Sequence, residues 1–162
     1  NYLQDAQSKI AHPDLKDLSW HFIGQIQTRK LKTICQLFDW IHSIDSAKHL
    51  DKIASFDLAH PLNICIQFTL TERQHRGGTS LEVLDTLLEQ AYAIPQIRLR
   101  GLMFMAEPNM DIQTQFQMAK EVYQKRQQRF QLDTLSMGMS HDYQQALAHG
   151  ATMVRIGQLI FE

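Results

Sequence analysis

The sequence predicts an α/β fold of parallel strands, an incomplete (β/α)8 or TIM barrel with about six of the eight strand–helix units present. Three observations carry this. Strand-sized apolar runs alternate with helix-periodic segments, at connection lengths that suit right-handed βαβ crossovers. Runs such as Trp20–Ile23 and Thr152–Ile156 are largely apolar without clean polar alternation, as strands covered on both faces are. The chain also opens at Asn1 already inside a helical pattern, so its first helix has no strand before it. Periodicity leaves open whether the sheet closes. Six strands entered in mid-pattern fit an eight-strand barrel short of its first two units, with residues 1–162 as one domain.

In order, Tyr2, Leu3, Ala6 and Ile10 recur at helical spacing, and His12-Pro13-Asp14 ends that helix. Trp20–Ile23 is a short strand closed by Gly24. Ile26, Lys30, Ile34 and Leu37 predict a helix packing back on it. Trp40–Ile44 is the next strand, with Asp45 or Ser46 capping a helix over about 47–55. Leu62–Leu70 alternates through Ile64, Ile66 and Phe68 as the longest strand candidate. A polar loop with Arg73, His75 and Arg76 leads to Thr79, which with Glu82 forms a capping box ahead of a helix from Ser80 to about Ala93. Ile97–Met103 is a strand, and a long polar-rich helix spans about 112–130. Thr134–Ser136 and Thr152–Ile156 are the last two strands, separated by a short helix ending near Gly150.

Composition excludes several classes. The 162 residues carry a net charge of −1 with a pI near 6.8, which supplies no field to gather nucleic acid or an anionic membrane. No apolar run reaches the roughly 20 residues of a membrane span, and no signal segment opens the chain, so a cytoplasmic location is expected. Cys35 and Cys65 are 30 residues apart without a CxxC, and the eight histidines show no ligand spacing, so no metal is expected.

The chemistry gathers at the end of the chain. After each of the last two strands comes a glycine turn, Gly138-Met139-Ser140 and Gly157-Gln158, where backbone N–H groups can converge on an anion. Ser140 suits an N-cap and Gly150 the αL position after the helix. In a (β/α)8 barrel these are the loops that build phosphate sites, although ordinary turn glycines and a routine serine cap give the same pattern. Arg155, inside Thr-Met-Val-Arg-Ile-Gly, needs an acceptor for a proton it cannot shed, whether a ligand or a structural ion pair. His21 is placed to line the barrel mouth or to sit in the core. No Ser/His/Asp set or paired carboxylates stand out, so no catalytic residue is named.

Trp20-His21-Phe22-Ile23-Gly24-Gln25-Ile26-Gln27-Thr28-Arg29-Lys30 resembles the signature of the pyridoxal phosphate homeostasis proteins, single-domain relatives of the alanine racemase barrel. Leu99–Met103, Leu135–Asp142 and Met153–Gly157 are similar to that family's later motifs in the same order, and Asn1-Tyr2 to the end of its Gly-Glu-Asn-Tyr motif. The resemblance implies a barrel of the alanine racemase type holding pyridoxal 5'-phosphate (PLP) at its strand ends. It implies cofactor contacts at Gly138, Met139, Ser140, Arg155, Ile156, Gly157 and Gln158, with His21 and Asn1 beside them. The arginine matching Arg155 faces the pyridine nitrogen. The family's Schiff-base lysine lies on the first barrel strand, and no lysine here matches it. Position 158 is Gln where the family has a small hydroxyl residue, which leaves the backbone N–H as the phosphate contact there. The implied function is PLP binding in intracellular vitamin B6 homeostasis without robust turnover, PLP-dependent apo-enzymes being the implied recipients. The alternative is a PLP-dependent amino-acid racemase. With open strand edges, the chain is expected as a monomer or a self-associating fragment.

Overall fold

The computed structural model describes residues 3–71 and 77–161. Six strands form one all-parallel sheet in strict chain order: β1 (His21–Phe22), β2 (Trp40–Ile44), β3 (Leu62–Phe68), β4 (Ile97–Phe104), β5 (Thr134–Met139) and β6 (Met153–Arg155). Between them run α2 (Leu31–Leu37), α3 (Ala47–Ala54), α4 (Leu81–Ala93), α5 (Ile112–Phe130) and α6 (Tyr143–Ala148), with α1 (Leu3–Ile10) ahead of β1 and α7 (Gln158–Phe161) after β6. Sequential parallel order with a helix in each crossover is the winding of a (β/α)8 barrel, and the six strands make the curled part-barrel that the sequence predicts.

The period of two along each strand sorts residues between two layers. Ile64, Ile66 and Phe68 of β3, Leu102 and Phe104 of β4, and Leu135 and Met137 of β5 pack beneath the helices in one large apolar core with Leu84, Leu87, Leu88 and Phe116. The alternate positions belong to the inner face, where Trp40, Cys65 and Met103 form a separate small cluster joined by Met105 and Met153. Ser136, Thr134, His42 and Gln67 are buried polar residues of the same strands.

Several local expectations change. Thr79 does not cap α4: it bridges to Phe68 at the end of β3, and Ser80 takes the N-cap place without a side-chain bond, because the chain must still close the β3 edge before it turns. The helix after β1 begins as a 3-10 turn at Thr28–Lys30 and becomes α-helical only at Leu31. Asp111 caps α5 through Thr114 N–H at 2.7 Å, a signal the reading of the sequence passed over. Beyond the Gly157 turn the chain continues as a one-turn helix, α7. The loop with Arg73, His75 and Arg76 lies outside the described residues.

Tyr123 of α5 donates from its hydroxyl to the Leu132 carbonyl at 3.1 Å, and so ties the helix to the entry of β5 in a buried setting. Tyr123→Phe leaves that carbonyl short of a partner and is expected to cost about 1 kcal/mol, read as a lower urea midpoint at unchanged slope.

Candidate functional site

The C-terminal ends of the strands surround a cleft of about 580 Å³, within the size range of small-molecule sites. Its wall includes Gly24 after β1, Ser43 and Asp45 at the end of β2, Gln67 of β3, Met103 of β4 and Met105 just after it, Met139 of β5 and Arg155 of β6.

The two glycine turns stand side by side because β5 and β6 are paired neighbours, with Met139 opposite Arg155. Gly138 has φ +94°, and a Cβ there would come within 2.6 Å of Ala146 Cβ and 3.1 Å of Tyr143 Cα, so α6 packs directly against this glycine. Ser140 was expected to cap that helix. Instead Asp142 stands at the N-cap and accepts from Met139 N–H, while Ser140 Oγ accepts from Gly157 N–H at 3.2 Å. The hydroxyl thus fastens one turn to the other, which the helix cap alone would not have done. Gly150 takes the left-handed conformation expected of it, φ +87°. At Gly157 an added Cβ would meet nothing within 4 Å, so the second turn borders open space.

Arg155 is half-buried, and its guanidinium donates to Ser136 Oγ at 3.0 Å and to the Phe104 carbonyl at 3.1 Å. Among the described residues no carboxylate pairs with it. Burial lowers its pKa from the ordinary value, and the charge of Asp142 works the other way. A guanidinium carries five N–H groups, so donors remain for an acceptor in the cleft.

Behind Arg155 the inner face is polar. Ser136 Oγ lies 3.0 Å from His42 Nδ1, and His42 Nε2 lies 2.9 Å from His21 Nδ1. His42 is 1% exposed, and burial, with the neighbouring His21 and Arg155 adding to it, pulls its pKa down to about 3. Burial also lowers His21, against the pull of Asp39. The His21 ring stacks on Trp40 at 5.1 Å, and the Arg100 guanidinium lies 4.5 Å from the same indole. On the far wall Asp45 accepts from Gly78 N–H at 3.1 Å and has His49 Nδ1 at 3.3 Å. Burial acts to raise the Asp45 pKa, but those neighbours outweigh it and hold it below the usual carboxylate range.

Gly138, Met139, Ser140, Arg155, Ile156, Gly157 and Gln158 therefore lie together across the ends of β5 and β6, with Met139 and Arg155 on the cleft wall and Gln158 opening α7. His21 lies three hydrogen bonds behind Arg155, through Ser136 and His42, in the inner layer. Asn1 is outside the described residues. His42, Ser136, Asp45 and Lys30 were missed. Lys30, read from the sequence only as part of a helix, is at the α2 N-cap and lines the cleft. The spacing Trp40-x-His42 carried a signal for the second histidine, since alternate residues of one strand share a face.

The family profile described as alanine racemase, N-terminal domain, matches residues 9–162. The chain is 36% identical over 170 residues to the pyridoxal phosphate homeostasis protein of Escherichia coli K12, covering 99% of this chain and 73% of that protein. It is 39% identical over 166 residues to the protein of the same name from Pseudomonas aeruginosa, covering 99% and 71%. Among solved structures, PipY of Synechococcus elongatus superposes with TM-scores of 0.92 without PLP and 0.86 with PLP bound, at 33% and 35% identity. All of this chain is covered in both, with 80% and 79% of PipY. Alanine racemase of Corynebacterium glutamicum, 14% identical with a TM-score of 0.71, shares the fold alone. Among the described residues no helix is long and apolar enough to cross a membrane.

Proposed function

The chain belongs to the pyridoxal phosphate homeostasis proteins of the alanine racemase N-terminal domain family, and from that premise we infer that its cleft binds PLP in intracellular vitamin B6 homeostasis. The observation that carries the reading in this chain is Arg155, a half-buried cation on the cleft wall held by a hydroxyl and a carbonyl in place of a carboxylate. Such a group suits a ring nitrogen acting as acceptor. Two joined turns lie beside it, and the Cα of Gly157 faces space that a phosphate fills. The residues present fit the phosphate and ring ends of the cofactor.

When bound, PLP supplies an electrophilic aldehyde and a ring able to accept electron density. Arg155 limits the second property. Its proton is not available to the ring nitrogen at any ordinary pH, so it orients the ring by hydrogen bonding without making it a strong electron sink. That supports a carrier more than a catalyst. Backbone N–H groups at the two turns, other than Gly157 N–H taken by Ser140 Oγ and Met139 N–H taken by Asp142, would hold the phosphate, with Ser140 fixing the spacing of the turns.

Two substitutions separate the ends of the site. Gly157→Val is expected to leave the thermal midpoint unchanged, because its side chain meets no neighbour, and to weaken PLP at least tenfold, about 1.4 kcal/mol. Pyridoxal without the phosphate should bind as before. Arg155→Ala is expected to change the absorbance spectrum of the bound cofactor while inorganic phosphate competes as well as against the native chain. Equilibrium dialysis with the native chain tests the reading itself, and no PLP retained at millimolar cofactor would overturn it. Alanine racemisation above that of PLP alone would show a catalyst instead of a carrier.

A further inference from the structure

We propose that His21, His42 and Ser136 form a hydrogen-bonded relay through the barrel interior that positions Arg155 against the cofactor ring, with the direction of the relay set by the protonation state of His21. The proposal rests on the reading of the cleft given above. Barrel interiors are normally filled by layers of branched apolar side chains, and polar groups placed there are costly unless every one is satisfied. Here residues from β1, β2, β5 and β6 make one unbroken chain, with His42 and Ser136 94 positions apart in sequence and both fully enclosed.

The donor count gives the chain a direction. Arg155 only donates, so Ser136 Oγ accepts from it. Ser136 is satisfied when its own O–H is donated to His42 Nδ1. His42 then carries its proton on Nε2 and donates to His21 Nδ1, which leaves the His21 proton on Nε2. In this neutral arrangement each contact along the chain pairs one donor with one acceptor, and His21 Nε2–H stands at its outer end. When His21 takes up a proton from solvent, its Nδ1 must donate. His42 must then accept at Nε2 and carry its own proton on Nδ1, and Ser136 Oγ receives two donors, Arg155 and His42. One proton is gained from water, one imidazole exchanges tautomers, and the serine O–H is turned out of the chain. A cation is also added three hydrogen bonds from Arg155.

The other charged groups around the relay are few. Asp39, whose carboxylate holds Trp20 N–H at 2.7 Å, favours the proton on His21. Arg100, across the Trp40 indole, is occupied by a bidentate pair with Asp133. Asp142 acts on Arg155, and the Cys65 thiol, pushed far up by burial, stays neutral. Burial disfavours the proton on both imidazoles, so the neutral arrangement holds at pH 7 and the exchange lies on the acid side of the usual histidine range.

The relay can be followed without cofactor by imidazole nitrogen NMR on the ligand-free native chain. As His21 titrates, His42 should pass from the Nε2–H to the Nδ1–H tautomer while staying neutral. A His42 tautomer that stays unchanged while His21 itself passes through its titration would overturn the proposal even if PLP binds. With nitrogen-labelled PLP, the bound ring-nitrogen shift, corrected for free cofactor, should step over the same range, and the dissociation constant should rise about fivefold or more on the acid side. His21→Phe should remove that step, and Ser136→Ala should remove it and also displace the plateau. A step that survives in His21→Phe, or a Ser136→Ala plateau equal to the native one, sinks the relay. Failure of the native chain to bind PLP, with the tautomer exchange intact, would instead sink the reading of the cleft.

Discussion

Gly101→Ala is expected to prevent folding. The added Cβ would lie 1.7 Å from the carbonyl oxygen of Thr134 and 2.6 Å from its carbonyl carbon, and both are backbone atoms of the paired strand. No side-chain rotation relieves such a contact, so β4 and β5 must separate. The pairing between β3 and β4 shows why a glycine is needed there. Ile64 faces Leu99 but Cys65 faces Gly101, which makes Arg100 the extra residue of a bulge. The bulge presents Arg100 to Asp133, to Asn63 Oδ1 at 3.0 Å and to the Trp40 ring, while the next residue is pressed against β5. A cost above about 4 kcal/mol is a large part of the stability of a domain this size. Circular dichroism of the purified variant should show lost cooperative melting or no soluble protein. Gly150→Ala is the control: its φ is +87° but the nearest atom is Lys120 Cε at 3.9 Å, so only conformational strain of about 1 kcal/mol applies. A Gly101→Ala chain that melts within a few degrees of native would mean the strands are farther apart than described.

The sheet was legible because its signals are local. Alternation at Ile64, Ile66 and Phe68 and the apolar run Trp40–Ile44 fix strands, and a crossover rule fixes their direction. The cleft's two turns were legible for the same reason, each being a glycine directly after a strand. What failed was also local, where two neighbours competed for one role. Thr79 and Ser140 have the chemistry of helix caps, but one is drawn to β3 and the other to Gly157, through contacts whose partners are distant in sequence. His42 was passed over because a lone histidine in an apolar strand carries no motif. Its meaning comes from Ser136 and Arg155, which no periodicity brings together.

Acid should destabilise the fold well before the carboxylates titrate, and His42 should account for most of that early loss. A histidine takes its first proton near pH 6.5 in the unfolded chain, whereas in the folded chain His42 resists it down to about pH 3. The folded pKa is the lower one, so its contribution is fully present above pH 6.5 and is lost as pH falls from there toward 3. Complete loss amounts to roughly 3–5 kcal/mol, at about 1.4 kcal/mol per pH unit through the middle of the window. His21, also lowered by burial, acts with the same sign. Asp45 and Asp133, both held below the usual carboxylate range, contribute only at lower pH, where protonating them removes their partners' hold. Urea unfolding at intervals from pH 7.5 to 4.5 separates these terms. The native chain should lose stability steadily below pH 6.5, while His42→Phe, less stable at neutral pH because Ser136 and His21 each lose a partner, should show a distinctly shallower slope. Parallel slopes would mean that His42 gains its proton in the folded chain as readily as in the unfolded one, and that the enclosed polar chain behind Arg155 opens to water as a matter of course.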